Sequence, residues 1–195
     1  MIKKPAGYDE AQIYGDFEKL PLGGHICKIK TTRIVSYDWG QVLVLLFDIA
    51  EGSESDGFYQ RNFQGQQPEN RKWKGTYRVT IPAENPADEK EIKTVSVFKT
   101  VINCIEESNP GYVWNWDESS LKEKLFGGVF GRKEYDFEGR HGFYTECRFI
   151  RPVDDIKKGV EVPEDKLLDT SKRQSTELFS GQTDIPAPSD DDLPF

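Results

Sequence analysis

Apolar positions are unevenly spaced along the chain, and their period changes several times. From His25 to Val35, the residues Ile26, Cys27, Ile29, Ile34 and Val35 stand among Lys28, Lys30, Thr31, Thr32 and Arg33. That mixture predicts a strand with one wet face and a bulge. Tyr37-Asp38-Trp39-Gly40 is a turn signal, and the unbroken apolar run after it, Val42 to Phe47, predicts a second strand buried on both faces. A polar connection, Glu51 to Gly57, leads to Phe58–Phe63, which reads as a third strand. Residues 64–93 are polar and carry Pro68, Pro82 and Pro86, so they read as a long excursion.

A helix is predicted from about Thr94 to Ser108. Phe98, Val101, Ile102 and Ile105 recur at the helical period, and Asn109-Pro110-Gly111 stops the run. Asp117 is placed to cap a short second helix near 117–125. Gly128–Phe137 and Gly142–Pro152 then read as two strands around a Gly-rich turn. The order of three strands, a helix and two strands is the connectivity of the OB-fold, a small, partly open barrel. A generic antiparallel sheet with one helix would show the same order. The expectation is therefore mainly β: an OB-fold-like five-stranded barrel with one helix between strands 3 and 4. From Val153 onward the apolar period disappears, which predicts a disordered acidic tail. The organisation expected is an arm over 1–20, a domain over 21–155, a flexible linker over 156–187 and a tip over 188–195.

Composition sharpens this picture mainly through charge. The 195 residues carry a formal net charge of -8. Residues 153–195 hold eleven acidic and five basic side chains, leaving only −2 on the rest. No apolar run is long enough to cross a bilayer, and no apolar stretch follows Lys3 and Lys4, so no secretory signal is expected. Cys27, Cys104 and Cys147 lie far apart, which suits reduced thiols in a cytoplasmic protein.

The last six residues, Asp190-Asp191-Asp192-Leu193-Pro194-Phe195, join an anionic run to an apolar end. Such a segment fits a bipartite plug: Phe195 enters an apolar pocket while an Arg or Lys at the rim holds its carboxylate, Pro194 stiffens the approach, and the aspartates are drawn to a basic surface. An ordinary solubility tail is the plain alternative. The segment resembles the C-terminal tip of bacterial and phage single-stranded DNA-binding proteins, whose usual form is Asp-Asp-Asp-(Ile or Leu)-Pro-Phe. The body resembles phage- and prophage-encoded proteins of Gram-positive bacteria that end in this tip. The likeness includes Ala6-Gly7-Tyr8-Asp9-Glu10 and the stretch from Glu106 to Gly131. It implies that Asp190, Asp191, Asp192, Leu193, Pro194 and Phe195 recruit replication, recombination and repair enzymes to coated single strands. No tetramer is implied, because the body is unlike the housekeeping bacterial protein.

A second feature lies in residues 58–78. Arg61, Arg71, Lys72, Lys74 and Arg78 stand against Glu69 alone, a local charge of +4, and Phe58, Tyr59, Phe63, Trp73 and Tyr77 are interleaved. Cations tracking phosphates and rings stacking on bases are what a sequence-tolerant single-strand binder needs. The expected single-stranded DNA contacts are Lys28, Lys30, Arg33, Trp39, Tyr59, Arg61, Arg71, Lys72, Trp73, Lys74, Tyr77 and Arg78. Phe58 and Phe63 are expected to be structural, and Trp114 and Trp116 to cap the barrel. Trp73, flanked by three cations, is expected at the surface because burying it would drag charge inward.

No phosphate-binding, dinucleotide or nucleophile-elbow motif occurs, and neither His25 nor His141 has partners at metal-ligand spacing, so no cofactor, metal or catalytic residue is expected. Asp48 and Glu51 could seat a metal in a nuclease, but they read better as a strand's exit into solvent. Two rivals to a DNA binder remain. One is a phage factor that captures host repair or replication enzymes through the tip without binding DNA; the other is a metal-dependent nuclease.

Overall fold

The computed structural model describes residues 3–5, 8, 18–50, 52–137 and 140–168. Five strands form one antiparallel sheet in the order β3-β2-β1-β4-β5. They are β1 (Gly23–Tyr37), β2 (Gly40–Ile49), β3 (Thr76–Thr80), β4 (Leu125–Phe137) and β5 (Arg140–Arg151). β1 serves two neighbours. Its first residues, Gly23 to Lys28, pair with β4, whereas Cys27 to Tyr37 pair with β2 across a bulge between Ile29 and Thr31. Among the described residues β3 and β5 do not pair, so the sheet is not a closed barrel. Helix α2 (Glu89–Ser108) lies between β3 and β4 in the chain, as expected, and packs on β3, β4 and β5.

The third strand is not where the sequence pattern puts it. Phe58–Gln64 is a helix, α1, and the strand lies inside the supposed excursion, at Thr76–Thr80. Asp48 explains the difference. Its carboxylate accepts from the backbone N–H groups of Ile49, Tyr59 and Gln60 at 2.8–3.0 Å, satisfying donors at the start of α1. Tyr59 and Phe63, spaced by one helical turn, then both meet Trp73. Asp48 is buried and acts as a helix cap, which corrects its reading as an exit into solvent.

α2 begins five residues earlier than its apolar stripe suggests. Asp88 accepts from Glu91 N at 2.8 Å, and the Glu91 carboxylate accepts from Ala87 N at 2.6 Å, a reciprocal cap. Phe98, Val101, Ile102 and Ile105 are buried as the periodicity requires. At the far end Asn109 ties the helix to β4, donating to Ile105 O and Leu125 O and accepting from Leu125 N. The second helix is a single 3-10 turn, Glu118–Leu121.

The chain after β5, expected to open the linker, instead folds back. Val153–Lys158 forms helix α3, and the residues beyond it run over the sheet. Ile156 lies so close to Gly127 that a methyl group there would collide with it, and Val160 approaches Gly24 in the same way. Glycines at these two strand positions open the track in which α3 and its extension lie. Further on, Lys166 pairs in parallel with Lys133 on the edge of β4 that β1 has vacated. The tip and most of the supposed linker lie outside the described residues.

Candidate nucleic-acid interface

The basic, ring-bearing stretch of residues 58–78 does not assemble into one cleft. Trp73 is 4% exposed, and its indole N–H donates to Phe47 O and Gly75 O at 3.2 and 3.0 Å. Its neighbours Lys72 and Lys74 are exposed. An extended chain sends successive side chains to opposite sides, so a ring can be buried between two solvated cations. That alternation is why the expectation of a surface Trp73 fails. Gly75 allows the close approach, since a Cβ there would strike Phe47 O and the Tyr59 ring. Tyr59 is also buried, and burial pushes its phenol well above the ordinary range. Neither ring presents a face to a base.

Several expected cations hold the fold instead. The Arg61 guanidinium grips Glu18 through Nε and Nη2 at 3.0–3.2 Å and also donates to Asp56 O. Arg71 donates to Gln66 O and Gln64 O and lies 5.7 Å from the centre of the Phe63 ring. Lys28 meets Glu123 at 3.8 Å, and Lys30 is half-buried near enough to Asp48 to favour its charged form. Tyr77 is half-buried opposite Leu45, with its phenol raised by burial, and packs against the core.

What the sheet does bring together is Arg33, Arg78, Tyr37 and Trp39. Arg33 faces Val44 on β2, and Val44 faces Arg78 on β3, so the two arginines share one row on one face. Tyr37, four residues after Arg33, lies on that face, and Arg78 Nη1 donates to its hydroxyl at 3.3 Å. At the tip of the β1–β2 hairpin the Tyr37 and Trp39 rings stack, with centroids 5.1 Å apart and planes 4° apart. Trp39 is 65% exposed.

A second ring-bearing surface, absent from the sequence expectations, lies on the β4–β5 hairpin. Beyond Phe130 the ribbon outruns β1, and its rings stand exposed: Tyr135, Phe137, Phe143, Tyr144 and, nearer the body, Phe149. Cations lie over them. Arg132 sits 5.4 Å from the Phe143 ring, Lys133 5.6 Å from Tyr144, and Arg148 and Arg151 5.8 and 5.9 Å from Phe149. Carboxylates temper the charge: Glu146 lies 3.7 Å from both Lys133 and Arg148, and Asp165 holds Arg132 at 2.7 and 2.9 Å. The ribbon therefore offers rings more than net charge. Its sequence signal was the presence of rings at both phases of β5, which also describes a strand buried on both faces.

Trp114 and Trp116 divide. Trp114 packs against Phe98, midway along α2, at 5.7 Å and donates to Asp117 O, a structural role on the helix rather than the cap of a closed barrel. Trp116 is 78% exposed with φ of 68°, and its ring lies 4.8 Å from that of Trp114. No protein-family model matches the chain, and no curated protein matches it. Among the described residues no helix is long and apolar enough to cross a membrane, and no group of three potential metal ligands occurs.

Proposed function

We propose that this chain is a non-enzymatic, sequence-tolerant single-stranded DNA-binding protein of the cytoplasm, whose segment Asp190–Phe195 recruits replication, recombination or repair enzymes. The observation that carries the proposal is the stacked Tyr37–Trp39 pair at the hairpin tip, joined to Arg78 in a row with Arg33. A ring faces a base without regard to its identity, and a neighbouring cation meets the phosphate. The β4–β5 ribbon adds rings for further bases. The strand order with a helix between β3 and β4 is compatible with an OB-like body, in which hairpins of this kind border the nucleic-acid groove. Trp73, Tyr59, Arg61 and Arg71 have no part in this version of the interface.

The test is anisotropy of labelled oligo-dT titrated with the chain and with Trp39→Ala. Loss of a stacked base weakens binding by about 1–3 kcal/mol. Unchanged affinity in Trp39→Ala removes the hairpin from the interface. Failure of the unaltered chain to bind oligo-dT at low salt favours the second reading, a protein that captures enzymes through Asp190–Phe195 without touching DNA. The structural engagement of Arg61 and Arg71 is what keeps that reading in play.

A further inference from the structure

β3 is the outermost strand on its side of the sheet, and α2 packs beside it. Between them lies an open hollow of about 320 Å³, lined by Arg78 and Thr80 of β3 and by Lys90, Lys93 and Thr94 of α2. Strand alternation sends Val79 into the core, 4% exposed, and leaves Arg78 and Thr80 together on the opposite face. Lys90 and Lys93 are three residues apart on the helix, so they are neighbours on one flank, and both are exposed. The Thr94 hydroxyl is turned to Lys90 O at 3.0 Å, so cations dominate the opening.

These three cations stand without counter-charges. Among the described residues no carboxylate, Glu89 included, pairs with Arg78, Lys90 or Lys93, whereas Lys28, Arg61, Arg132 and Lys133 each meet one. Asp88 and Glu91, on either side of Lys90, are committed to the reciprocal cap of α2, accepting from Glu91 N and Ala87 N. Like charges converging on one hollow repel one another, so an anion there relieves the repulsion. Arg78 decides which class of anion. Its Nη1 donates to the Tyr37 hydroxyl beside the stacked Tyr37–Trp39 rings, so one side chain belongs both to the ring-bearing tip and to the hollow. A partner with phosphates along a line and flat bases beside them fits both places, and an acidic polypeptide fits only the second. We infer that a single strand stacked on Tyr37 and Trp39 continues past Arg78 into this hollow, where Lys90 and Lys93 hold the phosphodiester groups of the next nucleotides. The inference rests on the DNA-binding reading and adds to it two contacts from α2, outside the basic stretch 58–78.

The experiment is a salt series of labelled oligo-dT anisotropy titrations with full-length chains. Lys90→Gln combined with Lys93→Gln removes two phosphate contacts, so the slope of log K against log salt shrinks by about 1.4, at about 0.7 per contact on a single strand. Lys99→Gln combined with Lys122→Gln removes the same charge from exposed lysines outside the hollow and leaves the slope unchanged. All four side chains are exposed, and melting curves confirm that both variants fold. Suppose the unaltered chain binds oligo-dT and Trp39→Ala weakens it, yet the Lys90 and Lys93 pair keeps the full slope. That result overturns this inference and leaves the DNA-binding reading standing. Equal shrinkage in both lysine pairs also overturns it, because net charge alone then sets the slope. No binding of oligo-dT by the unaltered chain overturns both readings. Poly-aspartate bound as tightly as oligo-dT, and lost with Lys90 and Lys93, overturns the assignment to a phosphodiester strand and gives the hollow to an acidic polypeptide.

Discussion

Asp48 and Trp73 show how single side chains decide local structure here. Asp48 accepts three backbone N–H groups at the junction of β2 and α1. Asp48→Ala strands those donors in a buried place, an expected cost of about 1–3 kcal/mol in urea unfolding. Burial outweighs the three hydrogen bonds and holds the carboxyl above its ordinary range in the fold. A raised folded value means that the unfolded chain ionises first, so this group's contribution to stability declines as pH rises from about 4 toward its folded value. Asp48→Asn lacks that titration. The stability of the unaltered chain relative to Asp48→Asn should therefore fall as pH rises above about 4, and a flat difference would contradict the assignment. Trp73→Ala should cost about 3–5 kcal/mol by opening a core cavity. Comparison of oligo-dT affinity in that variant under folding conditions separates a core role from a binding one.

At the scale of elements, the β4–β5 ribbon is the part whose role follows from its length. β1 ends its pairing at Gly23 opposite Phe130, so seven residues of β4 continue with β5 and the Lys166 segment alone. Rings that would be core in a wider sheet become surface. Phe143→Ala and Tyr144→Ala should each leave the melting temperature nearly unchanged while weakening oligo-dT by about 1–3 kcal/mol if that ring stacks on a base. Unaltered affinity in both confines the interface to the β1–β2 tip. The same reasoning shows what the sequence made legible. Patterning disclosed β1, β2, β4, β5 and α2, with β2 visible as an unbroken apolar run and α2 as a stripe at the helical period. Phe58–Phe63 misled because six residues with rings at both phases suit a strand as well as a helix, and the deciding group, Asp48, lies ten residues earlier. The ring pair at Tyr37 and Trp39 was half visible, in Trp39. The exposed ribbon was not visible, since where a neighbouring strand stops is a tertiary fact.

For the whole molecule, the net charge of -8 makes nucleic-acid binding a local matter, won by a few cations near rings against a repulsive average. That sets the form of its salt dependence. Arg61, Arg71 and Lys28 are turned to Glu18, Gln66 and Glu123, so the cations that the sheet sets beside the hairpin-tip rings are few, centred on Arg78 at the Tyr37 hydroxyl. About three phosphates neutralised on a single strand give a slope of log K against log salt near −2. Trp39→Ala removes a ring and no charge, so it should lower affinity equally at every salt concentration and leave the slope alone. Arg78→Gln removes one charge, and the slope should shrink by about 0.7. The two variants thus resolve stacking from phosphate contact in one titration series. A slope unchanged in Arg78→Gln places the strand away from the β1–β2–β3 face, and the cations of the β4–β5 ribbon, Arg132, Lys133, Arg148 and Arg151, are then the ones to exchange.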